Sequence, residues 1–177
     1  MSLDVYIISD SPVKKDHGSG IFVRENGRTI EVSEEYWYQS HPGHEAVKIR
    51  HEQSEYETNE VYSSNITHNL TAMADAAGIY RALWKPFTLK LPKEVLASLG
   101  DLSYDQRYDL EEKTEVLAFD LIEPLREGLH KLKMDPEDYK MLNPENGWGN
   151  YEGLVEFVEN YLNACYKYPT SKIVVSR

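Results

Sequence analysis

The chain has 177 residues, enough for one domain with a hydrophobic core of its own. Its net charge of −11 argues against nonspecific binding to nucleic acids or anionic membranes, because both require a basic surface. A single cysteine, Cys165, excludes a disulfide framework and a cysteine-based zinc cluster. No apolar run approaches the ~20 residues of a transmembrane helix, and the first residues lack the features of a signal peptide. We therefore expect a cytoplasmic protein with no membrane partner.

The first third of the sequence has the short, β-rich runs that are typical of strands. These runs predict strands at residues 3–8, 20–24, 29–32, 35–39, 46–51 and 56–62. Asn26 and Gly27 separate the second run from the third. They predict a two-residue hairpin turn, because both residue types tolerate a positive φ. The Tyr36-Trp37-Tyr38 cluster is interpreted as part of a half-buried strand, with an exposed recognition surface as the alternative.

From about residue 65 the apolar residues follow the period of a helix. The pattern predicts a helix that begins near residue 67 and ends at Gly78, a short helix ending at Trp84, and helices at 92–99, 112–134, 136–142 and 150–166. Pro124 should kink or split the longest of these. A last strand is expected at 172–175.

Strand signals on both sides of a helical block predict an α+β fold. We expect one domain over residues 1–177, with the first and last strands in one small mixed or antiparallel sheet. The helices of residues 65–167 would pack on that sheet, and residues 9–58 would form a hairpin-rich insertion.

Several long words of the sequence resemble a family of small, largely uncharacterised proteins that bacteriophages encode. The words are Leu3-Asp-Val-Tyr6, NITHNL at 65–70, AGIYRALWKP at 77–86, DLIEPLREGLHKLK at 120–133, NPENGWGNYEGLVEFVENYLNAC at 143–165 and Val174-Val-Ser-Arg177. The resemblance implies a phage accessory protein that acts in the host cytoplasm, with counter-defence as one role open to it. It implies no particular activity. Residues 9–58 look like an elaboration on shorter members.

His68 and Asn69 form the first candidate site. Asn65 or Thr67 is suited to cap the helix that follows, which would leave His68 and Asn69 in its first turn. Free N–H groups at such a helix end favour a phosphate or a carboxylate. The alternative is that these residues only cap the helix and pack over its start.

Asn146-Gly147-Trp148-Gly149 forms the second candidate site. The glycines permit a tight backbone, while the Trp148 ring can stack on a base or sugar and Asn146 can recognise polar edges. Tyr151 begins the next helix nearby, and Trp84 is a further stacking candidate. The alternative is a turn with a core tryptophan. We predict that His68, Asn69 and Trp148 share one concave site.

His41, His44 and His51, with Glu45, are a weak candidate for a zinc site. The residues between His41 and His44 are Pro42 and Gly43, which favour a turn over a helical face, so we expect no metal. No other motif points to a cofactor.

Three functions are compatible with these features. The first is a binding module for a small anionic or nucleotide-like ligand or for a host protein, since no nucleophile–base pair is evident. The second is a hydrolase or nucleotide-modifying enzyme with His68 as general acid/base. The third is an acidic decoy that mimics DNA. We favour the binding module over an enzyme; formation of a homo-oligomer stays open.

Overall fold

The computed structural model describes residues 2–15, 18–26, 28–48 and 56–177, and it has an α+β fold. The strands are β1 (Ser2–Lys15), β2 (Phe22–Glu25), β3 (Arg28–Glu31), β4 (Tyr56–Thr67) and β5 (Lys172–Ser176). The helices are α1 (Glu34–Ser40), α2 (Thr71–Ala76), α3 (Tyr80–Trp84), α4 (Lys93–Ala97), α5 (Tyr104–Lys113), α6 (Ala118–Met134), α7 (Pro136–Lys140) and α8 (Tyr151–Lys167). Two 3₁₀ turns, His68–Leu70 and Pro86–Leu89, complete the set.

The main sheet is antiparallel and has the order β4-β1-β5, so the first and last strands are neighbours as predicted. Val5 lies opposite Ser64 on one side and opposite Val175 on the other. Alternate residues of β1, namely Leu3, Val5 and Ile7, are completely buried. Their period of two places one apolar face of the sheet against the helices.

The core lies between this face and the helices. Helices α6 and α8 pack against each other, and their buried residues recur at helical spacing. Leu121 and Leu125 of α6 and Leu154, Phe157 and Tyr161 of α8 are all fully buried. The predicted helical block is therefore confirmed from residue 68 onwards, while residues 65–67 belong to β4.

The strand predicted at 35–39 is wrong, because these residues lie in helix α1. Ser33 caps that helix: its Oγ accepts a hydrogen bond from the Tyr36 N–H at 3.1 Å. Glu34 and Glu35 in the first turn suit the positive end of the helix dipole. Because α1 buries none of its residues, core packing does not decide its conformation. The helix-start signal therefore outweighs the β propensity of the aromatic cluster.

The helix predicted at 112–134 is divided, but not at its proline. Residues 112 and 113 end α5, while the Val116 carbonyl accepts a hydrogen bond from the Ile173 N–H at 2.8 Å. This pairing with β5 requires extended backbone. Pro124 lies inside α6 without dividing it, since the buried face around Leu121 and Leu125 continues through that turn.

The hairpin predicted at Asn26-Gly27 is confirmed by its register. Glu25 lies opposite Arg28, which leaves two residues in the turn, and Asn26 has a φ of +50°. Gly27 itself lies outside the described residues. Of the strand predicted at 46–51, Lys48 forms an isolated bridge with Ile21, and residues 49–55 also lie outside the described part. Among the helices that the structure describes, none is long and apolar enough to cross a bilayer.

Candidate ligand-binding cleft

A cleft of about 670 Å³ opens where four separate parts of the chain meet. The lining residues come from the start of β1, the β2–β3 hairpin, the end of β4 with its 3₁₀ turn, and the loop before α8: Ser2, Arg24, Thr29, Asn65, Thr67, His68, Asn69, Asn146 and Trp148. Five of the seven candidate ligand residues therefore share one concavity, including the predicted trio of His68, Asn69 and Trp148. That a ligand binds them stays a prediction.

Gly149 explains why the two candidate segments meet. It is buried and has a φ of +92°, a conformation that side chains other than glycine rarely adopt. A Cβ at this position would lie 2.6 Å from Thr67 Cγ2 and 3.0 Å from Leu70 Cδ1. The loop therefore rests directly on the 3₁₀ turn, which brings Trp148 into the same cleft as His68.

Both ring nitrogens of His68 are engaged inside the protein. The indole N–H of Trp84 donates to His68 Nδ1 at 3.2 Å, and His68 Nε2 lies 2.9 Å from the Ser2 carbonyl oxygen. Because the indole can only donate and the carbonyl can only accept, this pattern requires a neutral imidazole that carries its proton on Nε2. The ring has no free lone pair and no free proton, an arrangement that does not suit a general acid/base.

Trp84 and Tyr151 lie away from the lining of the cleft. Trp84 is 1% exposed and stacks on Tyr80 with ring centroids 5.5 Å apart, so it supports His68 from the core. Tyr151 is buried, and its hydroxyl donates to the Leu132 carbonyl at 2.9 Å. Both are aromatic rings near the candidate segments, but the apolar periodicity of α3 and α8 turns them inward.

Two helix-end N–H groups near the cleft, those of Asn69 and Gly153, already have hydrogen-bond partners inside the protein. Thr67 caps the 3₁₀ turn, and its Oγ1 accepts from the Asn69 N–H at 3.3 Å, while Asn65 lies in β4 and caps nothing. At the start of α8, Asn150 Oδ1 accepts from the Gly153 N–H at 2.8 Å. A 3₁₀ turn of three residues also has little dipole of its own. A side chain is therefore the stronger candidate for anion recognition in this cleft.

Arg24 supplies such a side chain, although no pattern in the sequence identifies it as a ligand contact. Its guanidinium carbon lies 4.3 Å from the centroid of the Trp148 ring, a cation–π contact. Arg24 and Thr29 are register partners, so they project from the same face of the hairpin into the cleft. Among the described lining residues Arg24 is the one cation, and none is acidic. The exposed Arg24 has no carboxylate partner within the described part of the chain.

The turn of the hairpin is held against the start of α8. Asn150 Nδ2 donates to Asn26 Oδ1 at 3.3 Å. A Cβ on Gly153 would lie 2.5 Å from the Asn26 carbonyl oxygen, so glycine at 153 permits the close approach. The Asn-Gly signal and the alternation of the strands place Arg24 and Thr29 on one face, but nothing in the sequence identifies α8 as the surface that the hairpin meets.

The weak metal candidate has no complete ligand set in the described residues. No group of three His, Cys, Asp or Glu side chains is suited to hold a metal there, and His51 lies outside that part of the chain. The His41 ring stacks on Trp37 at 4.0 Å, and its Nδ1 lies 2.9 Å from Ser40 Oγ. His41 therefore has a local role at the end of α1.

Comparisons with protein-family models, with curated proteins and with solved structures gave no match. The interpretation of the cleft therefore depends on its own geometry.

Proposed function

We propose that this protein is a phage accessory protein that captures a small anionic, nucleotide-like ligand in the cleft. Arg24 would hold the acidic group, and Trp148 would stack on the planar part. The side-chain amides of Asn65, Asn69 and Asn146 would hydrogen-bond to polar edges. Sequestering a nucleotide-like molecule of the host would suit a role in counter-defence.

The contact between Arg24 and Trp148 is the observation that carries the proposal. A lone guanidinium beside a half-exposed indole offers charge and a stacking surface side by side. The volume of about 670 Å³ falls in the range of small-ligand pockets. In a chain with a net charge of −11, a lining with one cation and no acid favours an anion over a cation.

The two alternative functions have less support. An enzyme that uses His68 as acid/base would first have to break hydrogen bonds to Trp84 or to the Ser2 carbonyl. A DNA-mimicking decoy needs rows of unpaired carboxylates. Many acids here are paired instead: Lys90–Asp120, Lys113–Asp109, Arg126–Glu123 and Lys140–Glu137 are ion pairs.

The direct test is a titration of the purified protein with a panel of nucleosides and nucleoside mono-, di- and triphosphates, followed by calorimetry. We expect at least one phosphorylated member to bind with one-to-one stoichiometry. The matching nucleoside, which lacks the anion, should bind more weakly. Ligand released by heat should be chemically unchanged on chromatography. Failure of the whole panel would contradict the proposal, and conversion of the ligand would favour an enzyme.

The variant Arg24→Gln tests whether Arg24 is the residue that binds the anion. Loss of a charge-assisted hydrogen bond costs about 1.5–3 kcal/mol, so affinity should fall about 10-fold to 150-fold. Arg126→Gln removes the same charge from an exposed helix surface and should leave affinity unchanged. Equal losses in both variants would mean that overall charge, and not the cleft, controls binding.

A further inference from the structure

A second cleft of about 350 Å³ lies beside α5 and shares no described lining residue with the first. Its apolar part includes Phe87, which is 5% exposed, and the half-buried Leu99. Tyr104 and Tyr108 border it from α5 and are 75% and 60% exposed. Because they are four residues apart, the two rings lie on one face of the helix.

The charges around this cleft are unequal. Arg177 forms a two-oxygen ion pair with Glu111, and its Nη1 also donates to the Trp84 carbonyl at 2.5 Å. This ion pair has no net charge, and it holds one wall of the cleft in place. Lys85 and Arg107, which also line the cleft, have no carboxylate partner within the described part of the chain.

The contacts that these two cations do make leave them able to bind an anion. Lys85 Nζ lies 5.7 Å from the centroid of the Tyr80 ring, and Arg107 Nε donates a weak hydrogen bond of 3.4 Å to the Ser103 carbonyl. Two positive charges in excess therefore flank an apolar floor, in a chain whose net charge is strongly negative.

We propose that the second cleft binds a small amphiphilic anion, a flat apolar ring that carries one carboxylate or sulfonate. The ring would lie on Phe87 and Leu99 against the exposed tyrosines, and the acid group would meet Lys85 and Arg107. An apolar floor alone would bind any hydrophobic molecule of suitable size, and the two cations alone would bind any anion. Together they select a ligand that carries both parts. This site is independent of the nucleotide-like ligand proposed for the first cleft.

The test uses 8-anilinonaphthalene-1-sulfonate, a fluorescent aromatic sulfonate, with the folded full-length protein. We expect a saturable fluorescence increase at one equivalent in the Arg24→Gln variant, which lacks the anion contact proposed for the first cleft. 2-Naphthoate should displace the probe, whereas the neutral 2-naphthamide should displace it at least about tenfold less effectively. Absence of saturable binding would overturn the proposal. Displacement by a hexaglutamate peptide at the concentrations at which 2-naphthoate acts would overturn it in favour of an acidic peptide.

A pair of charge-matched variants locates the probe. Lys85→Gln with Arg107→Gln should weaken probe binding at least about tenfold. Lys93→Gln with Arg126→Gln removes the same two charges from exposed positions outside the cleft and should leave binding unchanged. Thermal unfolding confirms that all variants are folded. Equal weakening in both double variants would overturn the proposal, because it would show a response to net charge alone.

Discussion

The body of the protein is the β4-β1-β5 sheet together with the helices that pack on it. One face of this sheet is buried against the helices, and Leu3, Phe157 and Tyr161 are completely buried. In the segment 18–48, which holds the β2–β3 hairpin and α1, only Gly20, Ile21 and Val32 are buried among the described residues. Polar contacts hold this segment together instead: Ser19 Oγ donates to the Val32 carbonyl at 2.6 Å. The body therefore carries the stability of the fold, while the hairpin completes a cleft that the body leaves open.

The largest expected effect is a loss of stability, and it distinguishes a phenylalanine of the body from one of the hairpin. Phe157→Ala removes a fully buried ring of the body and should lower stability by about 3–5 kcal/mol. The melting temperature should then fall by roughly 6–20 °C for a chain of this size. Phe22→Ala removes a ring of the hairpin that is 44% exposed and should cost less than about 0.5 kcal/mol. Thermal unfolding by circular dichroism measures both, and similar losses would break the comparison.

The next effect compares two helical glycines. A Cβ on Gly128 of α6 would overlap Ile79 Cγ2 in the core, and the β-branched Ile79 has little freedom to move aside. Gly128→Ala should therefore destabilise by about 1–3 kcal/mol in spite of the better helix propensity of alanine. A Cβ on Gly153 would meet the Asn26 carbonyl of the hairpin at 2.5 Å and the Oδ1 of Asn150, the α8 cap, at 3.1 Å. Neither contact lies in the core, so Gly153→Ala should cost less stability than Gly128→Ala. Urea unfolding of the two variants tests this, and a loss in Gly153→Ala as large as in Gly128→Ala would contradict it.

A smaller effect is a loss of stability at alkaline pH, which arises from the body alone. Burial raises the pKa of the Cys165 thiol to about 12. The folded state thus keeps a proton that the unfolded state releases above about pH 9, so stability is complete below pH 9 and falls as the pH rises towards 12. Between pH 8.5 and pH 10 we expect a loss of about 1 kcal/mol from this thiol. Burial, with smaller contributions from Cys165 and Tyr62, also raises the pKa of Tyr161 well above 10, which acts in the same direction.

Cys165→Ala serves as the control for this pH effect. Its stability should fall less steeply between pH 8.5 and pH 10 than that of the parent, whatever the absolute stability of the variant. Equal slopes for the two proteins in urea unfolding at these pH values would show that the thiol does not titrate as described.

The body could be predicted from the sequence because local patterns specify it. The alternation in β1 and the apolar face of α8 agree with the packing that they finally adopt. The strand predicted at 35–39 is wrong because the Ser33 cap starts a helix there. Trp84 and Tyr151 have the residue types of ligand contacts, but the apolar periodicity of α3 and α8 buries both of them.

The cleft could be predicted only in part. His68, Asn69 and Trp148 come from segments whose residue types suggest ligand contacts. Arg24 and Thr29 depend on a docking contact between Asn26 and Asn150, which are 124 positions apart. No local pattern specifies such a contact. The main anion contact of the proposed site was therefore the residue least accessible to sequence reasoning.

Gly153→Ala tests most directly the claim that the hairpin completes a ligand-binding cleft. It adds a methyl group where α8 meets the Asn26 carbonyl, and it changes no residue that lines the cleft. The measurement is calorimetric titration of the parent and the variant with the tightest-binding nucleotide of the panel. We predict one-to-one binding by the parent and at least tenfold weaker binding by Gly153→Ala, with a melting temperature closer to that of the parent than Gly128→Ala has. Parent-like affinity in the variant, or no nucleotide binding by the parent, would contradict the account.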